Sequence, residues 1–359
     1  MLKTIFIHLL NDFSGSPKVL SQVLKRFEKS NDIELYTSKD EGFLSNLTAN
    51  HKHFFYKRFN NKFLTLFSYV LSQLDLFFKI LKYKKEDTIY INTLLPFGAA
   101  IAGKLKACEV IYHIHETSIK PNILKKFLRY VVSKTASKII FVSNDLASKE
   151  AFENKNTYIV HNALENNFLE IASKYEYKFL YDEKFIVTMI CSLKEYKGVL
   201  EFITIASNLV SQNHISFKLI LNAEQTEINN YFENKNIPSN IEIFSKQKDL
   251  EPFYSKSSLV LNLSRVDICI ETFGLTIIEA MAYGIPVIVP PVGGPIEIVE
   301  EGLEGFLISS YEIDKVAKKI AELSNNEITC INLSKNAKEK ALIFSEDLFL
   351  GKIQKVVDG

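Results

Sequence analysis

Residues 271–306, ETFGLTIIEAMAYGIPVIVPPVGGPIEIVEEGLEGF, decide the fold. Local chemistry divides them into helix, strand, helix and strand. A helix over 275–283 is closed by Gly284 as its C-cap, and Pro286 cannot continue it. PVIVP, 286–290, reads as a short buried strand. Gly293 and Gly294 then make a turn, Pro295 suits the first position of a helix over 295–301, Gly302 ends it, and a strand follows near 305–308.

The same alternation runs outward to both ends of the chain. In the second half, strands are expected near 185–191, 216–222, 241–244 and 258–262, with helices near 198–211, 225–234, 312–323, 328–341 and 346–357. In the first half, strands are expected near 3–9, 32–36, 87–92, 109–114, 138–142 and 157–160. Helices there fall near 17–29, 63–84, 96–106, 121–134 and 144–152. Strands alternating with helices imply right-handed βαβ units and parallel sheets. The pattern restarts after the polar segment 170–184, so the expected class is α/β with two Rossmann-like domains in tandem. These are 1–165 and 166–345, with 346–359 a C-terminal helix expected to pack back on the first domain. Ligands of such sheets bind beyond the carboxyl ends of the strands, here in a cleft between domains.

Composition agrees. A chain of 359 residues suggests about two domains. Apolar residues at 47% and charged ones at 24% are globular values, which exclude disorder and coiled coil. Cys108, Cys191, Cys269 and Cys330 are far apart, without CxxC or nearby histidine pairs. That excludes a disulfide scaffold or zinc ribbon and suits a reducing cytoplasm. The opening MLKTIFIHLLNDFSG is too short in apolar run for a secretory signal and reads as a first strand. No run of ~18 uninterrupted apolar residues appears, so an integral protein is not expected. The net charge of +1 conceals an asymmetry: residues 1–165 carry +9 and 166–359 carry −8. The first half either faces something anionic or reflects drift in a lysine-rich chain.

Within 271–306, Glu271 sits in a loop and Glu279 one turn into the following helix. Phe273, Gly274 and Leu275 enter that helix, so unpaired backbone N–H groups and the positive dipole end form a phosphate site. Carboxylates beside such a site suit hydrogen bonds from sugar hydroxyls. The segment resembles the signature of retaining glycosyltransferases of family 4 (glycosyl transferases group 1), which have the GT-B fold. The positions that carry the resemblance are Glu271, Phe273, Gly274, Leu275, Glu279, Ala280, Met281, Ala282, Gly284, Pro286, Val287, Gly293, Gly294 and Glu297. It implies that Glu271 contacts the donor sugar, that Glu279 contacts the nucleoside ribose, and that the amides of Phe273, Gly274 and Leu275 hold sugar hydroxyls or the diphosphate.

A second match is ICSLKEYKG, 190–198, where the family has Gly-Arg-Leu and then Lys-Gly. Lys197 and Gly198 match, and Lys197 supplies a fixed cation for a diphosphate. Cys191 and Ser192 replace the usual glycine and arginine; Ser192 donates one hydrogen bond without charge or fork, and Lys194 is placed to compensate. In the first half, residues 11–17 (NDFSGSP) stand where the family has a glycine-rich turn, with Gly15 allowing close backbone approach to the donor. In HIHET, 113–117, His115 aligns with a family histidine that touches the donor sugar or acceptor, while His113 on the strand suits the core. His161 and Asn162 resemble the motif entering the linker, a structural role. Arg265 either approaches the phosphate or forms a surface salt bridge.

Residues 51–85 hold ten Phe or Tyr and eight Lys or Arg but one acid, Asp75. A basic amphipathic helix here can lie on an anionic membrane. Alternatively Phe63, Phe67, Val70, Leu71, Leu74, Phe77, Phe78 and Leu81 form a core-facing stripe. Nucleic-acid binding does not fit the motifs or the near-neutral charge.

These readings converge on a retaining glycosyltransferase in bacterial-type surface polysaccharide synthesis. It would move sugar from a UDP- or GDP-linked donor to a glycan or lipid-linked glycan, with no cofactor or metal, in the cytoplasm or on the inner face of its membrane. No general base stands out, which matches the family's departing phosphate taking the acceptor's proton on the same face. Two alternatives remain: a non-transferring enzyme of this fold resembling nucleotide-sugar epimerases, and a non-catalytic subunit, suggested by Ser192.

Overall fold

The computed structural model describes residues 2–27, 32–47, 50–268 and 270–358. Cys269 and the end of the expected first helix, residues 28–29, lie outside them. The chain forms two compact units: residues up to Ala163 together with those from Glu346, and Leu164–Ser345.

The first unit alternates β1 (Thr4–Ile7), α1 (Gly15–Phe27), β2 (Ile33–Thr37), β3 (His51–His53), α2 (Lys62–Ile80), β4 (Thr88–Asn92), α3 (Phe97–Leu105), β5 (Glu109–Ile114), α4 (Asn122–Thr135), β6 (Lys138–Phe141), α5 (Asn144–Lys149) and β7 (Asn156–Ile159). Its seven strands run parallel in the order β3-β2-β1-β4-β5-β6-β7. The central strands are near-continuous apolar runs because helices cover both faces. Phe6 pairs in register with Tyr90, and both are fully buried. The chain moves outward from β1 through β2 to β3, then resumes on the other side of β1 with β4. The carboxyl ends of β1 and β4 therefore flank the point where strand order reverses.

The second unit runs α6 (Asn166–Ser173), β8 (Phe185–Cys191), α7 (Val199–Asn208), β9 (Ile215–Leu221), α8 (Gln225–Phe232), β10 (Ile241–Phe244), α9 (Glu251–Tyr254), β11 (Leu259–Leu261), α10 (Leu275–Ala282), β12 (Val287–Val289), α11 (Pro295–Ile298), β13 (Gly305–Leu307), α12 (Ile313–Leu323) and α13 (Glu327–Ala341). Its six parallel strands are ordered β10-β9-β8-β11-β12-β13, with the reversal between β8 and β11. Phe185, Phe202 and Phe217 fill its core. The final helix, α14 (Glu346–Asp358), belongs to the first unit. There Arg26 donates to the Gln354 side chain at 3.1 Å and Lys138 Nζ to the Val356 carbonyl at 2.8 Å.

Of the two alternatives for residues 51–85, the core-facing stripe is not what the structure shows. The stripe of α2 does not face the core: Phe63, Phe67, Val70, Leu71, Leu74 and Phe78 are exposed, Phe63 by 84%. The helix instead buries Ser68, Tyr69, Ser72, Gln73, Leu76 and Ile80. Its polar residues can go inside because each has a partner. The Tyr69 hydroxyl donates to the Leu95 carbonyl at 2.6 Å, Gln73 Oε1 accepts from Gly98 N–H at 3.0 Å, and Ser68 Oγ accepts from Lys57 N–H at 2.9 Å. Gly98 allows this crossing, since a Cβ there would lie 2.0 Å from the Gln73 carbonyl oxygen. By length and composition α2 is also apolar enough to cross a membrane, which a search for an uninterrupted apolar run passes over; a third of it is buried.

Candidate active site

The carboxyl ends of β8 and β11 bring three loops of the second unit together. After β8 a single 3-10 turn, Glu195–Lys197, ends at Gly198, whose φ of 79° is left-handed. A Cβ there would lie 2.3 Å from the Leu263 carbonyl oxygen, so glycine is what lets this turn lie against residues 262–264. Lys197 Nζ thereby reaches Glu271 Oε2 at 2.6 Å and Ser264 Oγ at 3.4 Å. Ser264 Oγ donates to the same carboxylate oxygen at 3.2 Å, and Ser264 N–H donates to Asn262 Oδ1 at 3.1 Å. Burial works to raise the Glu271 pKa, but the Lys197 ammonium and the Ser264 and Asn262 hydrogen bonds outweigh it and hold the carboxyl below its usual range.

Gly293 and Gly294 clamp the Glu271 loop. Gly294 N–H donates to the Glu271 carbonyl at 2.8 Å. A Cβ on Gly293 would lie 2.3 Å from that oxygen, and one on Gly294 would lie 2.4 Å from Phe273 Cα. The sequence reading took these glycines as a turn; close packing is the larger reason for them. The Phe273 side chain is core, against Phe344 at 5.6 Å, so Phe273 can offer a ligand only its backbone. Gly274 caps α10 and Leu275 begins it. Glu279 is buried on α10, and its Oε2 accepts from the Tyr254 hydroxyl at 2.8 Å. Tyr254 is stacked on Tyr283 at 5.5 Å. Burial, then the Glu279 charge, raises the Tyr254 pKa well above its ordinary value, so the hydroxyl stays a donor.

Two further residues follow the same loops. Arg265 donates from Nε to Glu201 Oε1 at 2.6 Å, and its N–H donates to the Tyr196 carbonyl at 2.8 Å. The salt bridge expected as one alternative is present, though with a buried acid of α7 rather than on the open surface. Ser192 accepts at its carbonyl from Lys194 N–H at 2.8 Å. Beside it, burial pushes the Cys191 thiol up to about 12, which makes it an inert neutral group.

The sequence of the matched segment settles the class of this unit. Residues 173–340 match the family of glycosyl transferases group 1. This unit is a glycosyl transferases group 1 domain. The chain carrying it is 27% identical over 300 residues to an uncharacterized glycosyltransferase of Methanocaldococcus jannaschii, covering 81% of this chain and 80% of that one. It is 26% identical over 306 residues to the capsular polysaccharide biosynthesis glycosyltransferase CapM of Staphylococcus aureus, covering 77% of each. The solved structure of Anabaena HepE in complex with UDP-glucose superposes with a TM-score of 0.81 at 19% identity, over 100% of both chains. The fold is GT-B.

The first unit of the chain places a different set of side chains at the ends of β1, β4 and β5. His115 Nε2 lies 2.7 Å from Asn92 Oδ1, and Asn92 Nδ2 donates to the Ser16 carbonyl at 3.1 Å. His8 Nδ1 is 3.1 Å from the same amide nitrogen. His113 is fully buried, its Nδ1 2.8 Å from the Tyr90 hydroxyl and its ring 4.2 Å from that of His115. Burial lowers all three histidines: His8 to about 4, His113 to about 3, and His115 well below 6.5 with help from His113 and His8. Glu116 accepts from Leu94 N–H at 2.8 Å and His115 N–H at 3.2 Å, yet burial still raises its carboxyl to about 7. Gly15 begins α1, exposed.

Sequence reasoning missed Asn92, Thr93, Asn262, Ser264 and Tyr254. Asn92 and Asn262 carried a usable signal: each is a polar residue ending an expected apolar strand beside a reversal of strand order. Tyr254 carried none, since α9 is four residues long. Among the described residues no group of three or more His, Cys, Asp or Glu has the arrangement of a metal site.

Proposed function

We propose that the protein transfers a sugar, with retention of anomeric configuration and without a metal, from a UDP- or GDP-linked donor to a glycan or lipid-linked glycan acceptor. The observation that carries this is the Lys197–Glu271 contact at the strand-order reversal of the second unit, beside the N-terminus of α10. Lys197 and the first amides of α10 would neutralise the diphosphate as the anomeric C–O bond breaks, a preorganised electrostatic contribution. Glu271 would accept hydrogen bonds from donor-sugar hydroxyls. Glu279 would do the same for the ribose, with Tyr254 holding its second oxygen. The acceptor hydroxyl would form the new bond to the anomeric carbon and give its proton to the departing phosphate oxygen on the same face. His115 is assigned to a hydroxyl of the donor sugar or acceptor. CapM and HepE support the reading: the first is named for capsular polysaccharide synthesis and the second is solved with UDP-glucose.

The acceptor side of the reading rests on α2. Its outward apolar stripe, with Lys57, Arg58 and Lys62 before it, suits an anionic membrane surface, which supports the reading that the enzyme works at the inner face of the cytoplasmic membrane. The testing experiment incubates the protein with UDP- and GDP-sugars, with and without lipid-linked acceptors, and reads the anomeric protons of the product by NMR. Retained configuration in an acceptor-dependent product supports the reading. An inverted product, or sugar isomerised without any acceptor, removes it.

A further inference from the structure

We propose that the first unit carries a second anion site, at the opposite end of its sheet from the carboxyl ends of the strands, which binds the phosphate group of a phosphomonoester. The site is an open pocket of about 680 Å³ between α4 and the loop from α5 to β7. None of its residues belongs to the second unit, so it stands apart from the donor assignment there.

Helical spacing gathers the charges. Lys126, Tyr130 and Lys134 follow one another at intervals of four on α4, and Arg129 lies on the same face. Phe152 and Lys155 complete the wall from the facing loop, which the left-handed φ of 57° at Asn154 turns into β7. Among the described residues the lining holds four cations and one acid, the exposed Glu153. Lys126, Lys134 and Lys155 form no ion pair with a carboxylate among those residues. Lys134 Nζ lies 5.7 Å from the centre of the Tyr130 ring, and Lys155 Nζ donates to the Ala136 carbonyl at 2.7 Å. Burial lowers the Lys155 pKa first, and the neighbouring Lys104 and Lys134 lower it further, as cations gathered with too little counter-charge do. The dipole of α4 accounts for Lys134 in its last turn, but Lys126 lies two turns earlier.

Arg129 fixes the wall of the pocket. Its guanidinium pairs with the buried Glu150, donates from Nη2 to the Ala151 carbonyl at 2.9 Å and lies over the Phe152 ring, 4.5 Å from its centre. Lys125 Nζ takes the other Glu150 oxygen at 2.5 Å, so that carboxylate is fully engaged inside the wall. The three remaining lysines meet a ligand as point charges, which suits phosphate. A phosphomonoester carries about −1.5 to −2 at pH 7, the charge that several separate ammonium groups can surround. Tyr130, 62% exposed, offers a ring or apolar portion of the same ligand a surface beside them. The pocket lies at the amino ends of β6 and β7, since α4 leads into the first and Lys155 precedes the second. His115 follows the carboxyl end of β5 in the same parallel sheet. Part of the +9 of residues 1–165 is thus gathered in one place, away from those strand ends.

The test uses the full chain labelled with 3-fluorotyrosine and read by fluorine NMR at neutral pH and physiological salt. The Tyr130 signal is the one absent from Tyr130→Phe. Phenyl phosphate is the soluble probe, and sedimentation with liposomes containing phosphatidic acid asks whether the phosphate belongs to a lipid headgroup. We expect phenyl phosphate to move the Tyr130 signal saturably, and equally in the wild type and in Lys197→Ala, which lacks the proposed donor contact. Lys126→Gln combined with Lys134→Gln changes two exposed side chains. It should weaken that binding roughly 10-fold to 100-fold and leave the melting temperature unchanged. No movement with phenyl phosphate, together with liposome binding that the double variant weakens by the same factor, assigns the site to a lipid phosphate. If the double variant weakens neither response, or neither probe elicits one, the proposal fails. A Tyr130 movement lost in Lys197→Ala also overturns it, because the phosphate would then be held in the second unit.

Discussion

Lys197 and Glu271 are each mostly buried and meet at 2.6 Å, so removing either leaves the other charge unpaired as well as removing a ligand contact. Lys197→Ala and Glu271→Ala should each lower turnover roughly 10²–10³-fold, the loss of about 2–4 kcal/mol of transition-state stabilisation. Reading the sequence alone gives no stability cost, but the pairing does. The single variants should melt lower than the wild type, and the double variant should recover part of that, with a coupling of roughly 0.5–3 kcal/mol in a denaturant cycle. Additive melting would mean that the pair is not formed. The first unit has its own titration. His8 and His113 are depressed below 6.5, so their contribution is full above that pH and lost as it falls toward 4. Glu116 is raised to about 7, so its contribution has the opposite sign, present at low pH and lost as pH rises through 7. Four depressed histidines, His8, His51, His113 and His115, outweigh one raised carboxyl, and melting temperature should fall between pH 6.5 and 4.5. Glu116→Gln removes the offset and should make that fall steeper; a flat or shallower profile contradicts the burial of these groups.

At the scale of elements, α2 shows what periodicity does and does not say. Residues 63–78 displayed an apolar stripe in the sequence, yet a stripe defines a face, not what lies against it. The polar residues Ser68 and Gln73 can take the inner face because the preceding loop and α3 supply partners, and Ser72 because its hydroxyl donates to the Tyr69 carbonyl of α2 itself at 2.6 Å. Other elements were illegible for plainer reasons. β3 is HKH, three residues without apolar alternation, and α6 sits partly inside a segment read as polar, where Phe168 nonetheless packs on Tyr283 at 5.7 Å. The outward stripe makes a measurable claim. The protein should sediment with liposomes containing anionic lipid, should bind neutral ones much less, and should be released by salt, as a Debye length of ~10 Å at 0.1 M implies. Replacing Lys57, Arg58 and Lys62 by glutamine should weaken binding by up to about 3 kcal/mol. Lys52 is not in this set, since it pairs with the buried Glu34. Changing Phe63, Phe67 and Phe78 to serine should abolish sedimentation while leaving the melting temperature within a degree or two, as exposed positions allow. Equal binding to neutral and anionic liposomes, or none to either, would contradict the assignment of α2.

For the whole molecule, the two units differed in how much the sequence disclosed. The second unit's loop is built from glycines and a carboxylate within one 36-residue stretch, 271–306, so its chemistry could be read locally. The first unit assembles residues 8, 92 and 115 from three separate strands, and only the parallel order β2-β1-β4-β5 makes them neighbours. The central claim concerns the second unit: it holds a nucleotide diphosphate through Lys197. The most direct test compares wild type and Lys197→Ala by thermal melting with UDP, GDP and ADP, each without metal. At 100 times its Kd a ligand stabilises by about 2.7 kcal/mol, roughly 5 °C or more for a unit of this size. The account expects at least one nucleotide diphosphate to raise the wild-type melting temperature by that order and to leave Lys197→Ala nearly unmoved. No shift with any of the three, or an equal shift in the variant, would contradict it.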